Sequence, residues 1–175
     1  MTLEEIESKI RTVQDFPKPG IQFKDIMPLL QDAESRKQIL KILLSQAEAF
    51  NPEVIVGIES RGFFFGMLLA DALDIPFIPI RKKGKLPGEV LSQTYELEYG
   101  TDQIEVQADA LKQYQRIFIH DDVLATGGTC EAALKLCKHN DEVEMACSFL
   151  MDLTFLNGSN KIKPHTEHIY SVLTY

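Results

Sequence analysis

The sequence predicts an α/β fold in which a mostly parallel central sheet is flanked by helices, and three observations carry that expectation. The first is a nearly continuous apolar run, Val54-Ile55-Val56-Gly57-Ile58. Such runs belong to strands buried on both faces, as parallel sheets require. The second is order along the chain, since strand-like and helical patterns alternate as they do in βαβ units. The third is placement: residues able to carry chemistry sit where strands give way to loops, the edge at which open α/β sheets bind ligands. At 175 residues, with no internal repeat or linker, the chain is expected to form a single domain, residues 1–175.

Each element has its own signal. Thr2 and Glu5 have capping-box spacing, and Ile6, Ile10 and Val13 follow at helical intervals. A first helix is therefore expected up to Asp15-Phe16-Pro17-Lys18-Pro19-Gly20, whose prolines and glycine stop it. Residues 21–26 alternate in polarity and read as a short extended segment. Ser35 with Gln38 predicts the cap of a second helix, with Ile39, Leu43 and Ala47 on its apolar face. After the strand at 54–58 come a helix from about Gly62 to Leu73 and a strand at Pro76–Ile80. Residues 81–90 read as a basic loop. Leu91 to Tyr99 and Ile104 to Val106 alternate like a hairpin joined around Gly100. A strand at 117–120, a helix at 129–138, and strands at 143–151 and near 168–174 complete the chain.

Composition narrows the function classes. Eighteen Lys and Arg against 26 Asp and Glu give a net charge of −8, which argues against nonspecific nucleic-acid binding. No apolar run reaches membrane-spanning length, and Thr2-Leu3-Glu4-Glu5 lacks the basic and apolar parts of a signal peptide. No membrane association is expected, and the cytoplasm is the expected location. Three cysteines (Cys130, Cys137, Cys147) form neither a CxxC pair nor an even framework and are expected to be reduced. Cys130 lies near a helix start, where its pKa can fall, although a passive small residue is the plainer reading. The four histidines have no ligand spacing, so no protein-bound metal is expected.

Residues 117–129, Ile-Phe-Ile-His-Asp-Asp-Val-Leu-Ala-Thr-Gly-Gly-Thr, carry the strongest functional signal. A strand ends in two acids, and a small, hydroxylated, glycine-rich loop leads into a helix. Backbone N–H groups of Ala125, Thr126, Gly127, Gly128 and Thr129, with the positive end of the helix dipole, suit a phosphate. Asp121 and Asp122 are placed to take the ribose hydroxyls of the same ligand. A tight turn with solvated acids is the plainer alternative.

Three other segments hold candidate chemistry, each with an ordinary structural reading beside it. Arg61, between Ser60 and Gly62 at the end of the 54–58 strand, can point a fork of donors at a second phosphate or be a surface arginine. Arg81-Lys82-Lys83-Gly84-Lys85-Leu86-Pro87-Gly88 has the glycines of a mobile flap and the cations of a diphosphate clamp, or is a solvated basic loop. Glu96 and Glu98 share a strand face beside it, and one can act as a general acid or base. Phe23 in Phe23-Lys24-Asp25 can stack on a flat heterocycle or simply fill a core. His120 shares a face with Phe118 and Asp122 and reads chiefly as a hydrogen-bonded structural histidine.

Together these segments closely resemble the type I phosphoribosyltransferases, and within them the adenine phosphoribosyltransferases. The resemblance covers Asp15-Phe16-Pro17, Gly20 to Ile26, Glu59 to Phe63, Arg81 to Gly88, Tyr95 to Gly100, Asp121-Asp122 and Ala125 to Thr129. It implies the type I fold with a small N-terminal hood (about residues 1–30) and a flexible flap hairpin. It implies a reaction in purine salvage, with adenine and 5-phosphoribosyl 1-diphosphate (PRPP) giving AMP and diphosphate, and Mg²⁺ carried mainly on the substrate's oxygens. The carried-over roles are the 5′-phosphate at Ala125 to Thr129 and the ribose hydroxyls at Asp121 and Asp122. Diphosphate falls to Ser60, Arg61, Arg81 and Lys85, acid/base work at the purine to Glu98, and the base to Phe23, Lys24 and Leu153. A homodimer is the family expectation, with part of the basic loop reaching in from a neighbouring subunit. Three positions depart from the family pattern. His120 stands where an aliphatic residue is usual, Lys24 where arginine is common, and Glu59 where aspartate is familiar. Two rivals stay open: an enzyme for another purine, and a PRPP-sensing regulator that binds nucleic acid. The acidic balance and the lack of a helix-turn-helix segment weigh against the regulator.

Overall fold

Strand pairing, not helical spacing, decides the fate of residues 11–14. The computed structural model describes residues 1–96 and 100–175, and the chain divides into two compact units, Met1–Ile42 and Leu43–Tyr175. In the first, α1 (Leu3–Glu7) has the reciprocal capping box: the Thr2 amide donates to Glu5 Oε2 at 2.8 Å and the Glu5 amide to Thr2 Oγ1 at 3.2 Å. The expected continuation through Val13 does not occur. Residues 11–14 instead form β1 (Arg11–Gln14), antiparallel to β2 (Gln22–Asp25), with Val13 opposite Phe23 and an Arg11–Asp25 ion pair at the end of the ladder. The proline-containing turn brings the two segments together, and Asp15 closes it by accepting from the Gly20 amide at 2.7 Å. A short helix, α2 (Met27–Gln31), follows unforeseen; Asp25 Oδ1 accepts from the Met27 amide at 2.9 Å. The next helix, α3 (Ala33–Phe50), starts two residues before its expected cap. Asp32, not Ser35, does the capping, because its carboxylate accepts from both the Ser35 amide (2.8 Å) and hydroxyl (2.5 Å).

The second unit is built on seven strands: β3 (Val54–Ile58), β4 (Phe77–Lys82), β5 (Val90–Glu96), β6 (Thr101–Gln107), β7 (Arg116–Leu124), β8 (Glu144–Asp152) and β9 (His168–Thr174). Their order is β5-β6-β4-β3-β7-β8-β9. The five from β4 to β9 are mutually parallel, and the β5–β6 hairpin joins antiparallel at β4. Helices α4 (Gly62–Leu73), α5 (Gly128–Cys137) and α6 (Gly158–Ile162) complete the unit, with a 3₁₀ turn at Thr154–Leu156. This is the expected fold class. Two bounds differ. β4 runs on to Lys82, so Arg81 and Lys82 are strand residues paired with Glu105 and Ile104. β7 continues through both acids to Leu124, because β8 pairs with it along that whole length, with Leu124 opposite Asp152. α6 carried no periodic signal at all, being five residues long.

Both sheet faces are packed. Ile117, Ile119 and Phe149 join Ala133 and Leu134 of α5 in one buried cluster. On the other face Phe118 is fully buried, lying 6.0 Å from Phe50 and stacked at 6.2 Å on Tyr170. No helix among the described residues is long and apolar enough to cross a membrane.

Gly57 lies beneath the Phe77 ring: a Cβ there would sit 2.6 Å from Phe77 Cζ. Gly57→Ala is expected to destabilise by about 1–3 kcal/mol through overpacking. Adding Phe77→Leu should restore part of that loss. Thermal unfolding of the double-mutant cycle checks it, and additive losses would show that the ring is not the obstacle.

Candidate active site

The glycine-rich loop becomes a cradle because β7 and α5 are nearly continuous, leaving only Ala125, Thr126 and Gly127 between them. Gly127 holds the N-cap position at φ +81°, with no side chain capping the first turn. A cavity of about 70 Å³ opens there, lined by Asp121 and residues 123–130. Amides of the first turn and the helix dipole therefore converge on a small, polar space suited to an anion. All five loop residues expected to bind phosphate line this cavity.

The two acids part company. Successive strand residues face opposite sides, and only Asp121 lines the loop cavity. Asp122 is 5% exposed and ion-paired to Arg61, with Nε to Oδ2 at 2.5 Å. Gly62 makes this approach close: a Cβ on it would lie 2.6 Å from the His120 carbonyl oxygen. Asp121 Oδ1 accepts from the Asp122 amide at 2.9 Å. Burial, then repulsion from Asp122, pushes the Asp121 carboxyl well above the usual carboxylate range. Burial also raises Asp122, and Arg61 opposes that rise.

The basic segment is held by carboxylates. Arg81 Nε lies 3.2 Å from Glu59 Oε2, which also accepts from the Lys82 amide at 2.8 Å. Burial works against ionisation of Glu59, but the Lys82 amide and Arg81 outweigh it and hold the carboxyl below its usual range. Lys82 pairs with Asp102 and donates to the Tyr95 hydroxyl at 3.2 Å. Glu105 accepts from the Gly84 amide at 2.9 Å. Lys85 is exposed, and its carbonyl accepts from Arg81 Nη1 at 3.3 Å. Ser60 is exposed just ahead of Arg61, across a cis Glu59–Ser60 peptide that no sequence pattern announced.

Phe23 and Lys24 lie on β2 in the first unit. The Phe23 ring meets Phe16 edge-on at 5.2 Å, and Lys24 Nζ donates to Thr12 Oγ1 at 3.2 Å. Leu153, half-buried after β8, donates its amide to the Leu124 carbonyl at 2.9 Å, next to the loop. Glu98 falls at residues 97–99, outside the described residues; Glu96 beside it is exposed. His120 is fully buried with Nδ1 2.8 Å from Ser148 Oγ, and burial pulls its pKa down to about 4, which suits a neutral structural histidine. Cys130 is not activated. A hydrogen bond to Cys147, with Sγ atoms 3.5 Å apart, and burial push its pKa far up. One contributor went unread in the sequence: Gly158, whose backbone packs directly on Ala125 and Gly127. The Asn157-Gly158 dipeptide was the available signal, a turn pattern that marks no ligand.

The raised Asp121 carboxyl has a stability consequence. A carboxyl whose folded pKa exceeds its unfolded value opposes folding at neutral pH, and that opposition vanishes once pH falls below the unfolded pKa. Asp121→Asn keeps the acceptor for the Asp122 amide. It should therefore raise the thermal midpoint at pH 7 by about 2–4 °C for each ~1 kcal/mol relieved. The gain should disappear near pH 4. Midpoints measured from pH 4 to pH 8 check this, and a pH-independent difference would contradict it.

Comparison with known proteins supplies the family. The family described as phosphoribosyl transferase domain matches residues 28–174. The adenine phosphoribosyltransferase of Flavobacterium johnsoniae is 52% identical over 170 residues, covering 97% of this chain and 99% of that protein. The crystal structure of adenine phosphoribosyltransferase from Thermoanaerobacter pseudethanolicus superposes with a TM-score of 0.90 at 44% identity, covering 99% of this chain and all of that one. The Giardia lamblia enzyme, complexed with 9-deazaadenine, gives a TM-score of 0.93 at 34% identity over 100% of this chain and 98% of that one. A cradle at the start of α5, a buried acid pair on β7, and relatedness along nearly the whole chain lead to one conclusion: the chain belongs to the adenine phosphoribosyltransferase family of the phosphoribosyl transferases.

Proposed function

We propose that this protein transfers the 5-phosphoribosyl group of PRPP to adenine, releasing AMP and diphosphate, in purine salvage. The observation that carries the reading is the small cavity where Asp121 and the amides at the start of α5 converge. In this reading residues 125–129 hold the 5′-phosphate. Asp121, within the same cavity, and Asp122 accept from the ribose hydroxyls, and Asp122 also steadies Arg61. Ser60, Arg61, Arg81 and Lys85 receive the diphosphate, and Phe23, Lys24 and Leu153 hold the base. The glycosidic bond to a purine nitrogen forms as the bond from the anomeric carbon to diphosphate breaks. Negative charge grows on the leaving oxygens, so fixed cations around them lower the barrier. Glu98 takes up the proton that the purine releases.

Mg²⁺, when bound, neutralises charge on the diphosphate oxygens. Asp121 offers a hard oxygen in the loop cavity, the kind of donor such an ion takes. That donor set fits an ion carried by the substrate. A cytoplasmic location fits three free, buried cysteines. A homodimer fits α4, which exposes Phe64, Met67 and Leu68 at helical spacing, at 43%, 53% and 38%.

Turnover with PRPP and Mg²⁺ against adenine, hypoxanthine, guanine and xanthine tests the reading. Adenine alone should be converted efficiently. Comparable turnover of hypoxanthine or guanine would move the chain to another purine, and no product with any base would remove the enzymatic reading. Glu98→Ala should lower kcat by about 100-fold or more, on the scale of a lost general acid or base. Near-normal kcat would sink that role.

A further inference from the structure

Gly158 opens α6 and is buried, yet it belongs to none of the segments that carry the ligand. A Cβ on it would collide with the Ala125 carbonyl oxygen and lie 3.0 Å from the Gly127 nitrogen. The contact is mutual: a Cβ on Gly127 would lie 2.5 Å from the Gly158 carbonyl oxygen and 3.2 Å from its Cα. Main chain meets main chain here, so no side chain can swing aside to make room.

The turn that carries Gly158 is fixed from several directions. Upstream, the Leu153 amide bonds the Leu124 carbonyl at 2.9 Å and the Thr154 amide bonds the Tyr175 carbonyl at 2.9 Å. Asn157, at φ +55°, swings the chain into α6. Downstream, Ile162 is fully buried in the core. Lys161 and His165 stand 3.8 and 3.7 Å from Glu131, a residue in the first turn of α5. The segment is thus clamped to the helix whose N-terminus forms the cradle, and its first residue presses on the loop.

We propose that Gly158 is a positioning residue for the phosphate cradle. Its bare Cα sets how far residues 125–127 stand from the α6 turn, and so where the amides at the start of α5 converge. This rests on the reading of residues 125–129 as the 5′-phosphate site. A side chain at 158 pushes the loop outward and misaligns its donors. A glycine needed only for packing would instead lower stability and leave substrate affinity alone.

Steady-state kinetics with PRPP and adenine varied separately, on the full-length protein, separates these. Gly158→Ala should raise KM for PRPP by about ten- to a hundredfold, the scale of a donor misplaced by an ångström, while KM for adenine stays within about twofold. Thr129→Val serves as the control within the cradle. If Thr129→Val raises KM for PRPP and Gly158→Ala does not, the positioning role is overturned and the cradle stands. If neither raises it, the cradle reading fails first. Should Gly158→Ala not fold, Ile162→Val decides, because it loosens the anchor of the same turn at a modest stability cost of about 0.5–1.5 kcal/mol. A rise in KM for PRPP with unchanged KM for adenine supports the role; equal shifts in both, or in neither, overturn it.

Discussion

Consecutive residues on a strand cannot face the same way, and the site is organised around that constraint. β7 stays paired with β8 beyond the acids, so Asp121 and Asp122 are carried to opposite sides of one buried ladder. Asp122 is spent on holding Arg61, and Asp121 is left facing the cradle. Two adjacent carboxylates in a poorly solvated place repel each other and resist ionisation. The same strand thereby delivers one acid to the loop cavity and one anchor to the neighbouring arginine.

The acidic balance of the chain, at first sight ill suited to an anionic substrate, has a local explanation. Glu59, Asp102 and Glu105 hold the basic segment in register through Arg81, Lys82 and the Gly84 amide. These pairs are partly solvated, and ion pairs of that kind contribute little to stability. In the proposed reading, a polyanion arriving at Arg81 takes the place of the Glu59 carboxylate as a partner of higher charge, at small cost. Acids that lower the net charge are the same ones that keep these cations arranged.

What the sequence made legible follows from burial. The strand at 54–58 and the helix near 62–73 are legible because nearly continuous apolar runs between turn residues leave few alternatives. The cradle was legible because its glycines and hydroxyls lie together in the chain. Residues 11–14 were misread because Ile10 and Val13 suit a helix as well as a hairpin, and the deciding partner, β2, lies across a turn. The end of β7 was misjudged for a related reason: acids look like a strand end until a neighbouring strand pairs past them. Gly158 was invisible because its importance is a contact with residues remote in sequence. The base-site role of Leu153 comes from family resemblance alone, whereas the Phe23 ring also suggests stacking by itself.

The interlock between Gly158 and the cradle also bears on how the protein comes into being. The cradle's own residues leave the ribosome well before the turn that presses on it, and β9, which pairs with β8 just ahead of the Tyr175 carbonyl that takes the Thr154 amide, follows that turn. Until the turn at residues 154–162 is added, the glycine-rich loop has a helix beneath it but no stop behind it. A nascent chain can therefore hold most of the sheet and still lack a defined anion site. The shape of the loop cavity thus depends on a turn that is synthesised about thirty residues after it.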